Sequence, residues 1–261
     1  MTVFRHEMRR GRLALIVWTG AIGFLMAVCI GLFPEMKDQM GEISGMFASM
    51  GSFTQAFGMD RLQFGTLLGF YGIECGNILG LGGAFFAALA GIGALAREEK
   101  DRTAEFLLTH PVSRASVVVQ KFLSVLAQVA VLNICALAVA LAMIALIGET
   151  VEMKKLLLIH AAYFAMQVEI ASVCFGLSAF MRTNALGVGL GLATGLYFLN
   201  LIANIAPSAE ALKWITPFGY AETADIVEAG RIQGEKLALG MGIGAAFFLA
   251  GLAHYLRKDI A

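Results

Sequence analysis

The chain has 261 residues, of which 59% are hydrophobic and 15% charged, and its formal net charge is zero. Soluble domains are about 45 to 50% apolar even with glycine counted, so this composition excludes a soluble domain. The mean hydropathy of +0.77 agrees with that exclusion. The sequence therefore predicts an integral membrane protein, in which the position of each charge matters more than the total.

Six apolar runs, each close to or above the roughly 20 residues that a helical span needs, follow one another along the chain. They predict an all-α membrane protein with one transmembrane domain over residues 1–261. The predicted spans are about residues 13–33, 73–96, 117–147, 156–180, 185–205 and 237–255. Pro34 is expected to end the first span, because proline interrupts the backbone bonding of a helix.

Residues 1–12 combine basic side chains with a few apolar ones that could enter the lipid boundary. This pattern predicts an interfacial helix, carried mainly by Phe4, Arg5, Arg9 and Arg10. The alternative is a plain basic end that only sets the orientation. A cleaved signal peptide is not expected, because the apolar run that follows is about 21 residues long and has no small-residue cleavage site.

Basic residues are unevenly divided between the two sets of connecting segments. If both termini lie inside, the inner segments hold 12 of the 19 basic residues and six of the 19 acidic ones. The positive-inside rule therefore predicts that both termini are cytoplasmic. Lys121, near the start of the third span, is expected to extend its ammonium group back toward the cytoplasmic face.

Small residues at four-residue spacing allow two membrane helices to approach closely. The chain has two such glycine stripes, at Gly72, Gly76 and Gly80 and at Gly187, Gly191 and Gly195. The second stripe, in the fifth span, is the stronger signal for close packing.

Two longer polar segments, residues 34–64 and 206–236, are expected on the extracytoplasmic side. The first is rich in Met and Phe at near-helical spacing, which predicts one or two short amphipathic helices. The second carries Trp214, Phe218 and Tyr220, side chains that suit a membrane interface.

A charged island at residues 97–114 separates the second and third spans. Glu98, Asp101, Arg102 and Glu105 recur at helical spacing and leave apolar residues on the opposite side, which predicts a short amphipathic helix. Pro111 is expected to end this helix, since the residue before a proline avoids the α region. From the residues alone, the island is either a solvated connector or a docking surface.

The string from Glu98 to Leu108, followed by Pro111-Val112-Ser113-Arg114, resembles the EE-x-x-G-T-x-E-x-L-L-x-x-P-V-S-R signature of ABC type-2 exporter permeases. Arg102 stands where that family usually has glycine, and a helix accepts arginine better than glycine. Two later stretches, 216–220 and 255–260, resemble further family patterns. The first of these often lies in a re-entrant hairpin before the last span.

The resemblance implies that the island is a cytoplasmic coupling helix, which docks on a separate ATPase subunit. The residues that the resemblance implicates are Glu98, Glu99, Asp101, Arg102, Thr103, Glu105, Phe106, Leu107, Leu108 and Pro111. The chain has no G-x-x-x-x-G-K-[ST] motif, so we expect ATP and Mg²⁺ to bind the ATPase subunit. The chain itself is expected to be neither an enzyme nor a holder of a cofactor or metal.

The other partners implied by the resemblance are a second permease copy, or a related permease, and the lipid of the bacterial cytoplasmic membrane; nucleic acid is not expected. Family members export peptides, drugs, lipids, polysaccharides or ions. The Met- and Phe-rich outer segment favours an amphipathic or antimicrobial peptide or a hydrophobic drug as the substrate. The alternative functions are a proton-coupled secondary transporter and a non-transporting membrane sensor or scaffold.

Some polar residues within or beside the spans are candidates for a translocation pathway. They are Glu169, Glu74, Asn77, Asn200 and Asn204. A charged side chain at the centre of a span costs about 2.5 to 3.5 kcal/mol even on a lenient insertion scale, so Glu169 should face the protein interior. It lines the pathway, relays protons as the proton-coupled alternative requires, or is a structural carboxyl bonded to a residue such as Asn133 or Gln128.

Overall fold

The structure of the chain, a computed structural model, describes residues 2–37, 39, 51–100, 113–181 and 185–257, with the backbone alone for residues 97–100. The helices in this part of the chain are α1 (Thr2–Lys37), α2 (Ser52–Ala56), α3 (Leu67–Lys100), α4 (Arg114–Ile147), α5 (Met153–Ser178), α6 (Ala185–Ile205), α7 (Thr223–Ala229) and α8 (Gly234–Arg257). Two 3-10 turns, Pro207–Trp214 and Pro217–Gly219, lie between α6 and α7.

Six of the described helices, α1, α3, α4, α5, α6 and α8, are long and apolar enough to cross a membrane. Helices α3 and α5 form the centre of the bundle, because 67% of the most apolar stretch of each is buried, against 17 to 28% for the other four. Around them, α1 packs on α4, α6 on α3 and α8 on α5. The predicted all-helical bundle with six membrane-length helices is confirmed for the described residues.

The glycines of α3 bring it close to its neighbours. A Cβ atom at Gly76 would lie 2.8 Å from the hydroxyl of Tyr163 in α5, and one at Gly80 would lie 3.0 Å from the same ring. The prediction of close packing is therefore confirmed for this stripe. The stripe in α6 differs, since Gly187 and Gly191 have no other described atom within 4 Å of a Cβ position.

At one end of the bundle, Glu7 of α1, Ala94 of α3 and Lys121 of α4 come into contact. We call this end the Lys121 end. Helices α5 and α8 also finish there, and the ring of His254 in α8 stacks on Phe180, just after α5, with centroids 4.2 Å apart. The described part of the chain thus begins and ends at the Lys121 end.

The opposite end, which we call the Glu222 end, holds residues 51–66 before α3 and the segment between α6 and α8. Asn204 at the end of α6 contacts Glu222 there. Lys37, the last residue of α1, pairs with Glu149 just after α4 at 2.7 Å. A second link thus joins α1 to the region of α4, far from the Lys121 end.

Helix α1 is continuous from Thr2 to Lys37. Residues 2–12, predicted as a separate interfacial helix, are the first turns of the helix that forms the first span. Pro34 lies inside α1, so the prediction that it ends the span is wrong. A proline near the end of a helix removes only one backbone hydrogen bond, and neighbouring helices allow such prolines in membrane spans.

The helices on either side of the charged island are longer than the predicted spans. The backbone of α3 stays helical to Lys100, beyond the expected end at Ala96. Helix α4 begins at Arg114, because the Ser113 hydroxyl accepts a hydrogen bond of 3.3 Å from the Ser116 amide and caps the helix. Both ends of the island therefore belong to the ends of long helices.

Candidate functional site

Residues 216–223, which we call the buried segment, fold into the bundle between α6 and α8. All of them except Glu222 are buried. The Thr216 hydroxyl donates a hydrogen bond of 2.8 Å to the carbonyl of Leu196, nine residues before the end of α6 at Ile205. Nine residues of helix measure about 14 Å, so the buried segment reaches well into the bundle.

Glu222 is the charged centre of a polar cluster in this segment. Its Oε2 atom accepts hydrogen bonds from Nδ2 of Asn200 at 3.0 Å and from Nδ2 of Asn204 at 3.1 Å. Asn204 also donates to the carbonyl of Ala56 at 3.0 Å, which attaches α2 to α6. Bonds to a charged acceptor are stronger than neutral ones, so the cluster fixes the buried segment on α6.

A small polar cavity of about 40 Å³ borders the cluster. Its lining includes Asn77, Tyr163, Tyr197, Asn200 and Glu222. The Tyr197 hydroxyl donates to Oδ1 of Asn77 at 3.2 Å, and the hydroxyls of Tyr163 and Thr223 share a hydrogen bond of 2.7 Å. The cavity is large and polar enough to hold ordered water molecules.

An ion pair beside the cluster holds α7 in place. Arg61 pairs with Asp225 of α7, and the Gln233 amide donates to Oδ2 of Asp225 at 3.0 Å. Burial lowers the pKa of Arg61, but the hydrogen bond and charge of Asp225, with the charges of Glu222 and Asp60, raise it above its ordinary value. The guanidinium group therefore stays charged and ties the segment before α3 to α7.

Glu169 of α5 lies in a second polar contact with the buried segment. Its Oε2 atom accepts a hydrogen bond of 2.8 Å from the Tyr220 hydroxyl, and the residue is 3% exposed. A Cβ atom at Gly240 of α8 would clash with this carboxylate and lie 3.0 Å from the Tyr220 ring. The carboxyl group is thus enclosed between α5, α8 and the buried segment.

The suggestion that Glu169 bonds to Asn133 or Gln128 is wrong. The Asn133 amide donates instead to Oε1 of Gln167 at 2.7 Å, and the Gln128 amide donates to the Ser124 carbonyl in its own helix. Residues two apart on a helix point in roughly opposite directions. Because Gln167 faces α4, Glu169 faces away from it, toward α8.

The Lys121 end has its own charged contact. The ammonium of Lys121 lies 2.6 Å from Oε1 of Glu7 and 3.1 Å from the carbonyl of Ala94, and the side chain is 1% exposed. The side chain is enclosed between helices and does not extend into solvent. That it points toward the cytoplasmic face stays a prediction.

Most of the predicted coupling residues lie outside the described residues, namely Asp101, Arg102, Thr103, Glu105, Phe106, Leu107, Leu108 and Pro111. Glu98 and Glu99 belong to the last helical turn of α3, for which only the backbone is described. The structure thus locates the two ends of the island at the Lys121 end. The role of these residues stays a prediction.

The residues predicted for the interfacial helix lie at the same end. The amide of Phe4 donates a long hydrogen bond of 3.4 Å to Oε1 of Gln120 in α4. Arg5 and Arg9 are exposed, and Arg10 borders a cavity of about 190 Å³ between α1, α3 and α4. This part of α1 therefore touches the bundle on one side and presents basic groups on the other.

The structure brings some of the pathway candidates together. Asn200 and Asn204 both donate to Glu222, which the sequence reasoning did not select, and Asn77 lines the same cavity. Glu169 contacts the other side of the buried segment, and Glu74 lies apart from both, near Cys29 of α1. Glu222 follows the family-like 216–220 stretch by two residues, a signal that could have identified it.

The described residues contain no group of three or more possible metal ligands of the His, Cys, Asp or Glu type.

Six described helices of membrane length indicate a multi-pass membrane protein. Residues 1–260 match the model of the family described as ABC-2 family transporter protein, and the chain belongs to that family. It is therefore a membrane permease of an ABC transporter, and membership implies an ABC ATPase as its partner. No curated protein matches the chain.

Proposed function

We propose that the chain is the export permease of a bacterial ABC transporter, with both termini in the cytoplasm. A separate ATPase, which binds ATP and Mg²⁺, docks on residues 97–114, and its closure drives the spans between inward and outward states. The family match over residues 1–260 is the observation that carries this proposal. The charge asymmetry of the connecting segments supports the orientation.

The docking site is supported by its place in the fold. Both long helices that flank the island, α3 and α4, have their island ends at the Lys121 end, beside the basic start of α1. In this proposal Phe106, Leu107 and Leu108 are the apolar anchors, and the acidic residues meet basic groups of the ATPase. Capture of the ATPase by the tagged chain, compared with the Glu105→Lys plus Leu107→Asp variant, tests this proposal.

We propose further that two copies of the chain, or one copy and a related permease, pair along α6. The residues Gly187, Gly191 and Gly195 all lie on the exposed face of α6, and a Cβ at each would meet open space. A stripe of small residues lets a second helix approach closely. A stripe that no described helix of its own chain covers suits a pairing surface.

In this proposal the buried segment is a re-entrant segment that closes the pathway at the Glu222 end. Its irregular backbone is suited to membrane depth because it is surrounded by protein. Asn77, Asn200 and Asn204 are proposed to line the pathway, since Asn77 and Asn200 line a polar cavity and Asn200 and Asn204 bond to Glu222 at its edge. We assign Glu169 a structural role, because Tyr220 and Gly240 enclose its carboxylate.

For the substrate we propose an amphipathic peptide or a hydrophobic drug. Phe53 and Phe57, at the Glu222 end, form a ring pair with centroids 5.1 Å apart, and Phe53 is 47% exposed. Apolar side chains of this kind suit varied apolar partners.

Uptake into inside-out vesicles that contain the complex measures export: accumulation of a cationic amphipathic peptide or of Hoechst 33342 supports the proposal. Movement of only a polar glycan overturns it.

A further inference from the structure

The Lys121 side chain forms a buried contact that the docking proposal does not use. Its ammonium bonds to Oε1 of Glu7 at 2.6 Å and to the Ala94 carbonyl at 3.1 Å. The exposed fractions of the Lys121 and Glu7 side chains are 1% and 15%. Removing two charges from water is costly, and replacing such a pair by apolar residues is often neutral or stabilising. Stability alone therefore gives no strong reason for a buried ion pair here.

The contact joins three elements at the Lys121 end of the bundle. Glu7 belongs to the first turns of α1. Ala94 precedes Arg97, where the island begins, by three residues, and Lys121 follows Arg114, where α4 starts, by seven. One ammonium group thus connects the two helices that flank the island, α3 and α4, with the first turns of α1.

Packing beside this contact is incomplete. A cavity of about 190 Å³ separates α1 from α3 and α4, and its lining includes Glu7, Gly11, Ala94 and Gln128. At Gly11 of α1 a Cβ would press on the Gln128 side chain, so α1 still touches α4 beside the cavity. Because a void weakens the apolar contact between helices at this level, the polar link adds to the packing of α1 on the two island helices elsewhere in the bundle.

We propose that Lys121 is a positioning residue for energy coupling, an inference that rests on the proposed function. It holds the first turns of α1 and both helix ends beside the island as one unit, so that movement of the docked island moves α1. Without the link, the ATPase still docks and hydrolyses ATP, but α1 no longer follows the island.

The test uses the full permease with its ATPase in lipid nanodiscs. Spin labels at Gly20→Cys in α1 and Gly242→Cys in α8 report the distance between the two helices, in a background in which Cys29, Cys75, Cys135 and Cys174 are replaced by alanine. Both glycines have open space at the Cβ position. Distances are measured without nucleotide and with Mg²⁺, ADP and vanadate, and ATP hydrolysis is measured in parallel.

The variant is Glu7→Gln plus Lys121→Met, which removes both charges of the described pair. Its matched control is Lys37→Met plus Glu149→Gln, the same change in the exposed α1 pair at the Glu222 end. We expect the variant to retain ATPase capture and hydrolysis and to lose the nucleotide-dependent distance change. The control should retain ATPase capture, ATP hydrolysis and the nucleotide-dependent distance change.

Reversing the pair, by Glu7→Lys plus Lys121→Glu, should restore part of the distance change, which a loss of folding could not explain. A full distance change in the uncharged variant with ATPase bound would overturn the inference and leave the proposed function intact. If the unmodified chain captures no ATPase, the proposed function fails, and the inference that rests on it fails too.

Discussion

The Tyr220 hydroxyl donates a hydrogen bond of 2.8 Å to the Glu169 carboxylate, and both residues are almost fully buried, at 2% and 3% exposure. Tyr220 comes from the irregular segment between α6 and α8, whereas Glu169 belongs to the central helix α5. The bond therefore attaches the buried segment to the centre of the bundle. It also gives the carboxyl group a structural task that requires no proton transfer.

Tyr220→Phe should destabilise the protein by about 1 to 3 kcal/mol, because it leaves a buried carboxyl group without its donor. Glu169→Gln should cost less, since the amide oxygen can still accept from Tyr220. Adding Glu169→Met to Tyr220→Phe should recover much of the loss, because both polar partners are then replaced. Thermal unfolding in detergent, followed by size-exclusion chromatography, measures all three variants.

If Glu169→Gln leaves the fold intact but abolishes export, the structural assignment of Glu169 is wrong. The proton-coupled alternative would then become the better account. Retained ATP-driven export in the same variant would exclude that alternative, because glutamine cannot carry the proton.

Gly240→Ala should destabilise the bundle by about 1 to 3 kcal/mol, because the added methyl would press on Glu169 and on the Tyr220 ring. Gly242→Ala is the matched control two residues further along α8. A Cβ there meets no other described atom within 4 Å, and alanine favours a helix over glycine by about 1 kcal/mol. Equal melting temperatures for the two variants would contradict the close approach of α8 to α5.

Glu222→Ala should loosen the buried segment, because the amides of Asn200 and Asn204 then lose their shared charged acceptor. Hydrogen bonds to charged groups contribute about 1.5 to 3 kcal/mol each, so the effect should be large. We expect faster hydrogen exchange across residues 207–229 by mass spectrometry. Glu228→Ala changes an exposed acid of α7 and should leave the exchange unaltered. If hydrogen exchange is the same in the Glu222→Ala and Glu228→Ala variants, Glu222 does not hold the polar cluster together.

Gly191→Cys should cross-link two copies of the chain in native membranes once the four natural cysteines are replaced by alanine. The reason is that Gly191 lies in the middle of the exposed stripe of α6. Gly242→Cys on α8 and Gly20→Cys on α1 are equally open positions and should cross-link much less. If these controls cross-link as well as Gly191→Cys, pairing along α6 is excluded. A heterodimer would appear as a cross-link to a different chain.

The helical bundle follows from the sequence because its physical cause is local. An apolar run of about 20 residues has few ways to satisfy its backbone groups in lipid other than as a helix. The errors arose where the outcome depends on neighbours. Pro34 continues α1, and α4 begins at Arg114, three residues before the predicted span. The glycine spacing in α6 also predicted a packing surface, but it did not show that no described helix of the same chain covers this surface.

The polar contacts were harder to predict because they join residues far apart in sequence. Lys121 and Glu7 are separated by 114 residues, and Tyr220 and Glu169 by 51. Nothing in the local pattern pairs them. Glu222 was missed because residues 206–236 resemble an exposed polar segment, and only their folded position shows that one carboxylate meets two asparagines of α6.

The most direct test of the account is capture of an ATPase by the affinity-tagged chain from its native membrane. Mass spectrometry would identify the captured protein, and ATP hydrolysis would be measured in the eluate. Glu105→Lys plus Leu107→Asp changes the island. Glu210→Lys plus Leu212→Asp makes the same changes at the same spacing at the Glu222 end. The account predicts that the unmodified chain and the second variant retain an active ATPase and that the first variant releases it. Retention by the island variant, or no ATPase with any form of the chain, would contradict it.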